Sequence, residues 1–158
     1  MKILKPLAIA GTLMLGATSF AQTSTYKCML QLKNYKGEGS YVVVSLVDAK
    51  NNYIKTLAVM GDDDEWYDTI TEWHKFQKEK KEKLDAITGA SVPPGSRALK
   101  ALKIDDKYLN KGYKIRFETA VEDEPYYPQD IEIPFKTNEV SKKYNGKGFI
   151  RFVKLNKV

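Results

Sequence analysis

After the N-terminal segment, apolar positions recur mostly every second residue. Tyr26, Cys28, Leu30 and Leu32 alternate with Lys27, Met29, Gln31 and Lys33, the period of a half-buried strand. This phase puts Cys28 on the apolar face, where a lone cysteine acts as a small core residue. Val42, Val43, Val44, Leu46 and Val47 form a nearly unbroken β-branched run, which predicts a strand inside a sheet. Asp48 to Asn52 reads as a turn, because Asn and Asp tolerate left-handed backbone and bond their own loop. Tyr53 to Met60 then returns as a hairpin partner. Further on, Tyr113, Ile115, Phe117, Thr119 and Val121 alternate with Lys114, Arg116, Glu118 and Ala120. Ile131, Ile133 and Phe135 follow the same rule, and Phe149 to Leu155 supplies a last strand. About six or seven short strands separated by polar turns predict a mainly β protein, an antiparallel sandwich.

One segment breaks the alternation. Over residues 62–84, Trp66, Ile70 and Trp73 fall at helical spacing, with Tyr67, Ile70 and His74 on an overlapping stripe. Asp62, Asp63, Asp64 and Glu65 open the segment and Lys75, Lys78, Lys80, Lys81 and Lys83 crowd its end. That polarity suits a helix dipole and predicts a single helical insertion. The acidic run lacks the ligand alternation and loop glycine of an EF-hand, so it reads as capping. Glu79 and Glu82 interrupt the lysines, which read as a solvated helix face.

The chain opens with Lys2 and Lys5, continues through an apolar stretch from Leu7 to Ala17, and reaches Ser19-Phe20-Ala21. A basic head, a short apolar middle and small residues at the cleavage positions make a secretory signal peptide. The apolar stretch is shorter than the ~20 residues of a membrane span. Cleavage is expected after Ala21, leaving residues 22–158 as one periplasmic domain that does not span the membrane. The net charge of the 158-residue chain is +6, and two of those charges belong to the signal. The remainder is mildly basic and gives no argument for nucleic acid. One cysteine and one histidine exclude a disulfide framework and every multi-cysteine or His-rich metal site, and no metal ligand set is expected. No nucleophile stands with a base and an orienting acid, so the chain reads as a carrier or accessory protein more than as a self-contained enzyme.

The segment over residues 85–95 carries the chemistry of interest: Asp85-Ala86-Ile87-Thr88-Gly89-Ala90-Ser91, followed by Val92, Pro93, Pro94 and Gly95. Pro93 biases Val92 to extended backbone, so Ser91 stands just before a stiffened piece of loop. Gly89 and Ala90 leave room for another protein's active site to close around the Ser91 hydroxyl, and Asp85 and Thr88 can hold the turn. Physically the same residues also read as a plain helix exit and turn.

Asp85 to Ser91 resembles the Asp-x-x-(Ser/Thr)-Gly-Ala-(Thr/Ser) motif of covalently flavinylated bacterial proteins, among them the FMN-binding domains of membrane redox complexes. The resemblance implies that a flavin transferase joins FMN through its phosphate to Ser91, with Asp85, Thr88, Gly89 and Ala90 as the rest of the motif. The family more often has Thr at the acceptor position. A second resemblance rests on the order of five stretches: the Tyr41–Val44 strand, the Asp48 turn, Thr56 to Gly61 with the Trp-containing helix, Asp85 to Gly95, and Gly112 to Glu118. From roughly Tyr26 to Phe135 the chain resembles a family of predicted periplasmic proteins of unknown function, DUF2271. That likeness implies an immunoglobulin-like β-sandwich and extracytosolic electron transfer with a PepSY-type membrane reductase. A flavin ring wants an aromatic surface, and Trp73 is the expected one, with Trp66, Tyr67, Phe76, Tyr126 and Tyr127 as further candidates. A cofactor-free sandwich that docks on a partner remains the alternative reading.

Overall fold

The computed structural model describes residues 21–158; apart from Ala21, the expected export signal lies outside the described residues. The alternating segments become strands β1 (Thr23–Leu32), β2 (Tyr41–Val47) and β3 (Tyr53–Met60). A short 3-10 helix (Asp64–Thr69) and helix α1 (Thr71–Lys80) follow. The rest comprises β4 (Thr88–Gly89), β5 (Arg97–Asp105), a one-turn 3-10 segment (Asp106–Tyr108), β6 (Lys114–Ala120), β7 (Tyr127–Pro134), β8 (Lys143–Asn145) and β9 (Ile150–Lys157).

They form two sheets, one in the order β5-β1-β9-β8 and the other β4-β3-β2-β6-β7. Pairing is antiparallel throughout except where β4 runs parallel to β3. The expected mainly β sandwich with one helical insertion is what the chain forms. Cys28 and Leu30 of β1, Val44 and Leu46 of β2, Phe117 of β6 and Leu155 of β9 meet between the sheets. Burial pushes the Cys28 thiol up to about 12, which keeps it protonated and unreactive. The Asp130 carboxylate, 1% exposed, accepts bonds from Thr119 Oγ1 (2.6 Å), Gly148 N (2.7 Å) and Ile150 N (3.0 Å), and so ties one sheet to the start of β9 in the other.

The helical insertion is shorter than the 62–84 expected and is split at Ile70, whose ψ of 67° is not helical. Asp63 caps the 3-10 turn by accepting from Glu65 N, so the acidic run does serve as a cap, though of the short helix and not of α1. Tyr67, Ile70, Trp73 and Phe76 face the sheet and, with Val43, Val59 and Ala120, make a second core on the outer face of the five-stranded sheet. This explains the unbroken valine run of β2: one face looks into the sandwich and the other lies beneath the helix. The polar face of β6 is covered as well. Arg116 is 1% exposed and Glu118 is fully buried.

Arg116 bonds Glu132 Oε1 through Nε (2.9 Å) and Nη2 (2.8 Å). The Glu118 carboxylate accepts from Tyr53 OH (2.6 Å) and from Tyr126 OH. Tyr53 stacks on Phe76, and Tyr126 OH also accepts from Glu72 N (3.2 Å), so the carboxylate reaches α1 through two tyrosines.

Loss of solvent pushes the Glu118 carboxyl up from the ordinary 4.5 to about 7; bonds from Tyr126 and Tyr53 and the Arg116 charge oppose the shift, and the Glu72 charge adds to it. Between these two values the folded chain binds more protons than the unfolded one, so stability falls as pH rises through the window and levels off above it. Burial would also raise Glu132, but bonds from Arg116 and Lys114 outweigh that and hold it below the ordinary value, outside the window. Urea denaturation at pH 5 and pH 8 should show the wild-type protein less stable at pH 8, by at most about 3 kcal/mol. Glu118→Gln should be less stable at pH 5 yet lose the dependence over that range.

Candidate functional site

The segment over residues 85–95 is positioned from α1 outward. Lys81 ends the helix in left-handed conformation (φ 50°), and Glu82 turns onto the sheet, where its carboxylate accepts from Thr56 N (3.1 Å). Gln77 Nε2 donates to Glu82 O (2.8 Å). A turn follows in which Ile87 N and Thr88 Oγ1 both donate to Leu84 O, at 2.8 and 2.9 Å. Val59 N donates to Ile87 O (3.0 Å) and Gly61 N to Gly89 O (2.6 Å), which lays β4 along the edge of β3. Beyond Ser91, Val92 exchanges both backbone bonds with Ser40 (2.8 and 2.9 Å). Ala90 and Ser91 are therefore the short unpaired span of a loop held on both flanks.

Ser91 is half-buried and Ala90 is exposed. Ser91 packs on Gly39, where a Cβ would stand 2.7 Å from the Ser91 Oγ, so only glycine leaves the hydroxyl its space. The same serine lines a cavity of about 180 Å³ together with Gly39, Tyr41, Trp66, Thr69 and Val121. Trp66 is 40% exposed, and an exposed indole at a cavity mouth offers a stacking surface. The Lys100 side chain crosses the bare face of Gly89, its Nζ 2.5 Å from where a Cβ would stand.

The structure thus brings Thr88, Gly89, Ala90 and Ser91 together on one pinned loop. Thr88 is committed to the turn. Asp85 is exposed and lines an open groove of about 660 Å³ with Asp62, Asp64, Tyr67 and Lys83, a groove that shares no lining residue with the serine's cavity. Trp73 does not share the site: it is fully buried, its Nε1 donates to Thr56 Oγ1 (2.9 Å), and it meets Tyr67 edge-on at 5.2 Å. Phe76 and Tyr67 are likewise packed in the second core, and Tyr126 is engaged by Glu118. One residue at the site escaped sequence reading, and one was named there only as a lesser candidate. Trp66 was outranked by Trp73 because helical spacing alone does not say which indole turns outward. Lys100 lies on β5, a strand the sequence did not disclose. Among the described residues no helix is long and apolar enough to cross a membrane.

The Glu82 grip predicts a measurable coupling. Glu82→Ala leaves the Thr56 amide without its carboxylate, a loss on the order of 1–1.5 kcal/mol. Hydrogen exchange at the Val59 and Gly61 amides, which donate to the loop, should then speed up about tenfold, with the β6 and β7 amides unchanged. Equal acceleration everywhere would mean that Glu82 supports only global stability.

Searches of curated proteins and of solved structures returned no match. A family model described as "Predicted periplasmic protein (DUF2271)" matches residues 23–152, from the first residue of β1 into β9, and the chain belongs to that family.

Proposed function

We propose that this protein carries FMN on Ser91 through a phosphoester and relays electrons outside the cytoplasm, exchanging them with a PepSY-type membrane reductase. The family's description as periplasmic supports a working place beyond the inner membrane. The reading rests on one observation: Ser91 belongs to a flavinylation-like motif and stands, half-buried, on a loop fixed on both sides, at a cavity beside the exposed Trp66. In attachment, the Ser91 oxygen bonds to the FMN phosphorus of FAD inside a flavin transferase. The pyrophosphate bond breaks, AMP leaves with the bridging oxygen, and the serine proton passes to solvent. Ala90, exposed and carrying a single methyl, keeps bulk away from the approach to that oxygen.

The residues present fit such a group in a particular way. Ligand pockets that enclose their occupants run to roughly 300–1,000 Å³, and the cavity at Ser91 is smaller, about 180 Å³. It suits a tethered ring that stays open to partners, with Trp66 and Tyr41 as its apolar support. Lys100 supplies positive charge at Gly89, two residues from Ser91, while Glu38 and Glu122 line the cavity itself. The flavin supplies the one- and two-electron chemistry when attached; the chain supplies attachment, position and charge. A tether also prevents loss of the cofactor by diffusion.

Co-expression with a flavin transferase, followed by flavin fluorescence in denaturing gels, tests the assignment. Wild type and Ser91→Thr should fluoresce and Ser91→Ala should be dark. Thr88→Ala, which costs only the bond to Leu84 O, about 1 kcal/mol, should stay labelled. Trp66→Ala should keep the label and shift the flavin absorption band. Fluorescence persisting in Ser91→Ala would overturn the site. A dark wild type would reduce the loop to a structural turn in a cofactor-free docking sandwich.

A further inference from the structure

The open face of the four-stranded sheet is unlike the rest of the surface. The register of β5, β1, β9 and β8 places Lys27, Arg97, Lys103, Lys143 and Lys154 on this one side, the side opposite the sandwich core. Asp105, at one end, is the one acid at these positions; it accepts from Thr23 Oγ1 and stands 3.9 Å from Lys107. Among the described residues, none of the five cations is in an ion pair. Lys143 and Lys154 are direct cross-strand partners, an arrangement that costs stability unless an anion lies between them. Helix α1 differs in this respect, since Glu72 and Glu79 intersperse its lysines.

Apolar groups stand among the cations. Leu99 is 60% exposed and Val158 80%, and the two lie together beside Lys27. Four strands at ~4.8 Å spacing make a sheet face about 15 Å across. The cations are spread over this width and do not converge on a pocket. A folded acidic protein would need matching fixed carboxylates, whereas lipid headgroups rearrange to meet such a spread, and the exposed Leu99 can enter the interface between them.

We propose that this face docks the protein on an anionic phospholipid surface, the five cations meeting headgroup phosphates and Leu99 entering the headgroup layer. The proposal does not depend on flavin attachment. It holds the domain by a side that excludes the Ser91 cavity, whose lining comes from the five-stranded sheet, the 3-10 helix and the loops beside them.

Co-sedimentation of the protein, purified from the periplasm of expressing cells, with vesicles tests it. Phosphatidylglycerol mixed into phosphatidylcholine should bind the protein at low salt and release it near ~0.5 M salt, where surface charges are screened. Pure phosphatidylcholine should not bind it. Lys27→Gln/Lys103→Gln/Lys154→Gln should weaken partitioning roughly tenfold or more, with unchanged circular dichroism; Arg97→Gln/Lys143→Gln serves as a second variant should the first not fold. Lys75→Gln/Lys78→Gln/Lys80→Gln on α1 removes the same net charge and should bind as wild type. Equal loss in the α1 variant, full binding by the face variants, or binding that ignores lipid charge would each overturn the proposal. Capture by poly-glutamate with no vesicle binding would overturn it in favour of an acidic protein partner.

Discussion

The burial of Trp73 against the outer face of β2 and β3 is the contact on which the rest of the site depends. Its indole fills the space over Val43 and Val59, and its Nε1 is held by the Thr56 hydroxyl. An aromatic side chain of that size anchors α1 in one position. With α1 placed, Gln77 and Glu82 stand over β3, and the Glu82 carboxylate closes on the Thr56 backbone amide. One residue of β3 therefore receives the helix through its side chain and the outgoing chain through its backbone. The turn at Leu84 and the parallel bonds of β4 continue from that point. The Ser91 loop is thus an extension of sheet and helix packing, not a free tail.

A loop so fixed presents a hydroxyl in a single geometry. The freedom of a flexible loop has already been lost in folding, so less ordering would be required of this one were another protein to bind it. The small residues in and around the loop follow from the same crowding. Gly39 makes room for Ser91, and Gly89 lies under Lys100. In the sandwich behind them the cysteine is buried and protonated, and the buried carboxylates of Glu118 and Asp130 are bound by tyrosines, a threonine and backbone amides.

Much of the scaffold could be read in the residues, because strand alternation records burial directly. The phase of β1, the β2–β3 hairpin with its Asp48 turn, and the strands around Phe117 and Ile133 all stand where their patterns put them. Strand β5 was hidden because its inward row begins with Ala98 and Lys100 and turns apolar only at Leu102 and Ile104; it is an edge strand of its sheet. Strands β4 and β8 are too short for any period. In the insertion, spacing located the apolar stripe but not the break at Ile70, which rotates Trp66 out to solvent while Trp73 stays inside. Burial of Arg116 and Glu118 was illegible for a different reason. A polar row on a strand looks solvent-facing until another element covers it, and that element lies more than thirty residues earlier in the chain.

The most direct measurement is intact-protein mass spectrometry with peptide mapping on the protein isolated from its native cell envelope. The account predicts one added FMN per chain, on the peptide containing Ser91. An unmodified mass in cells that make a flavin transferase, or FMN mapped to any other residue, would contradict it.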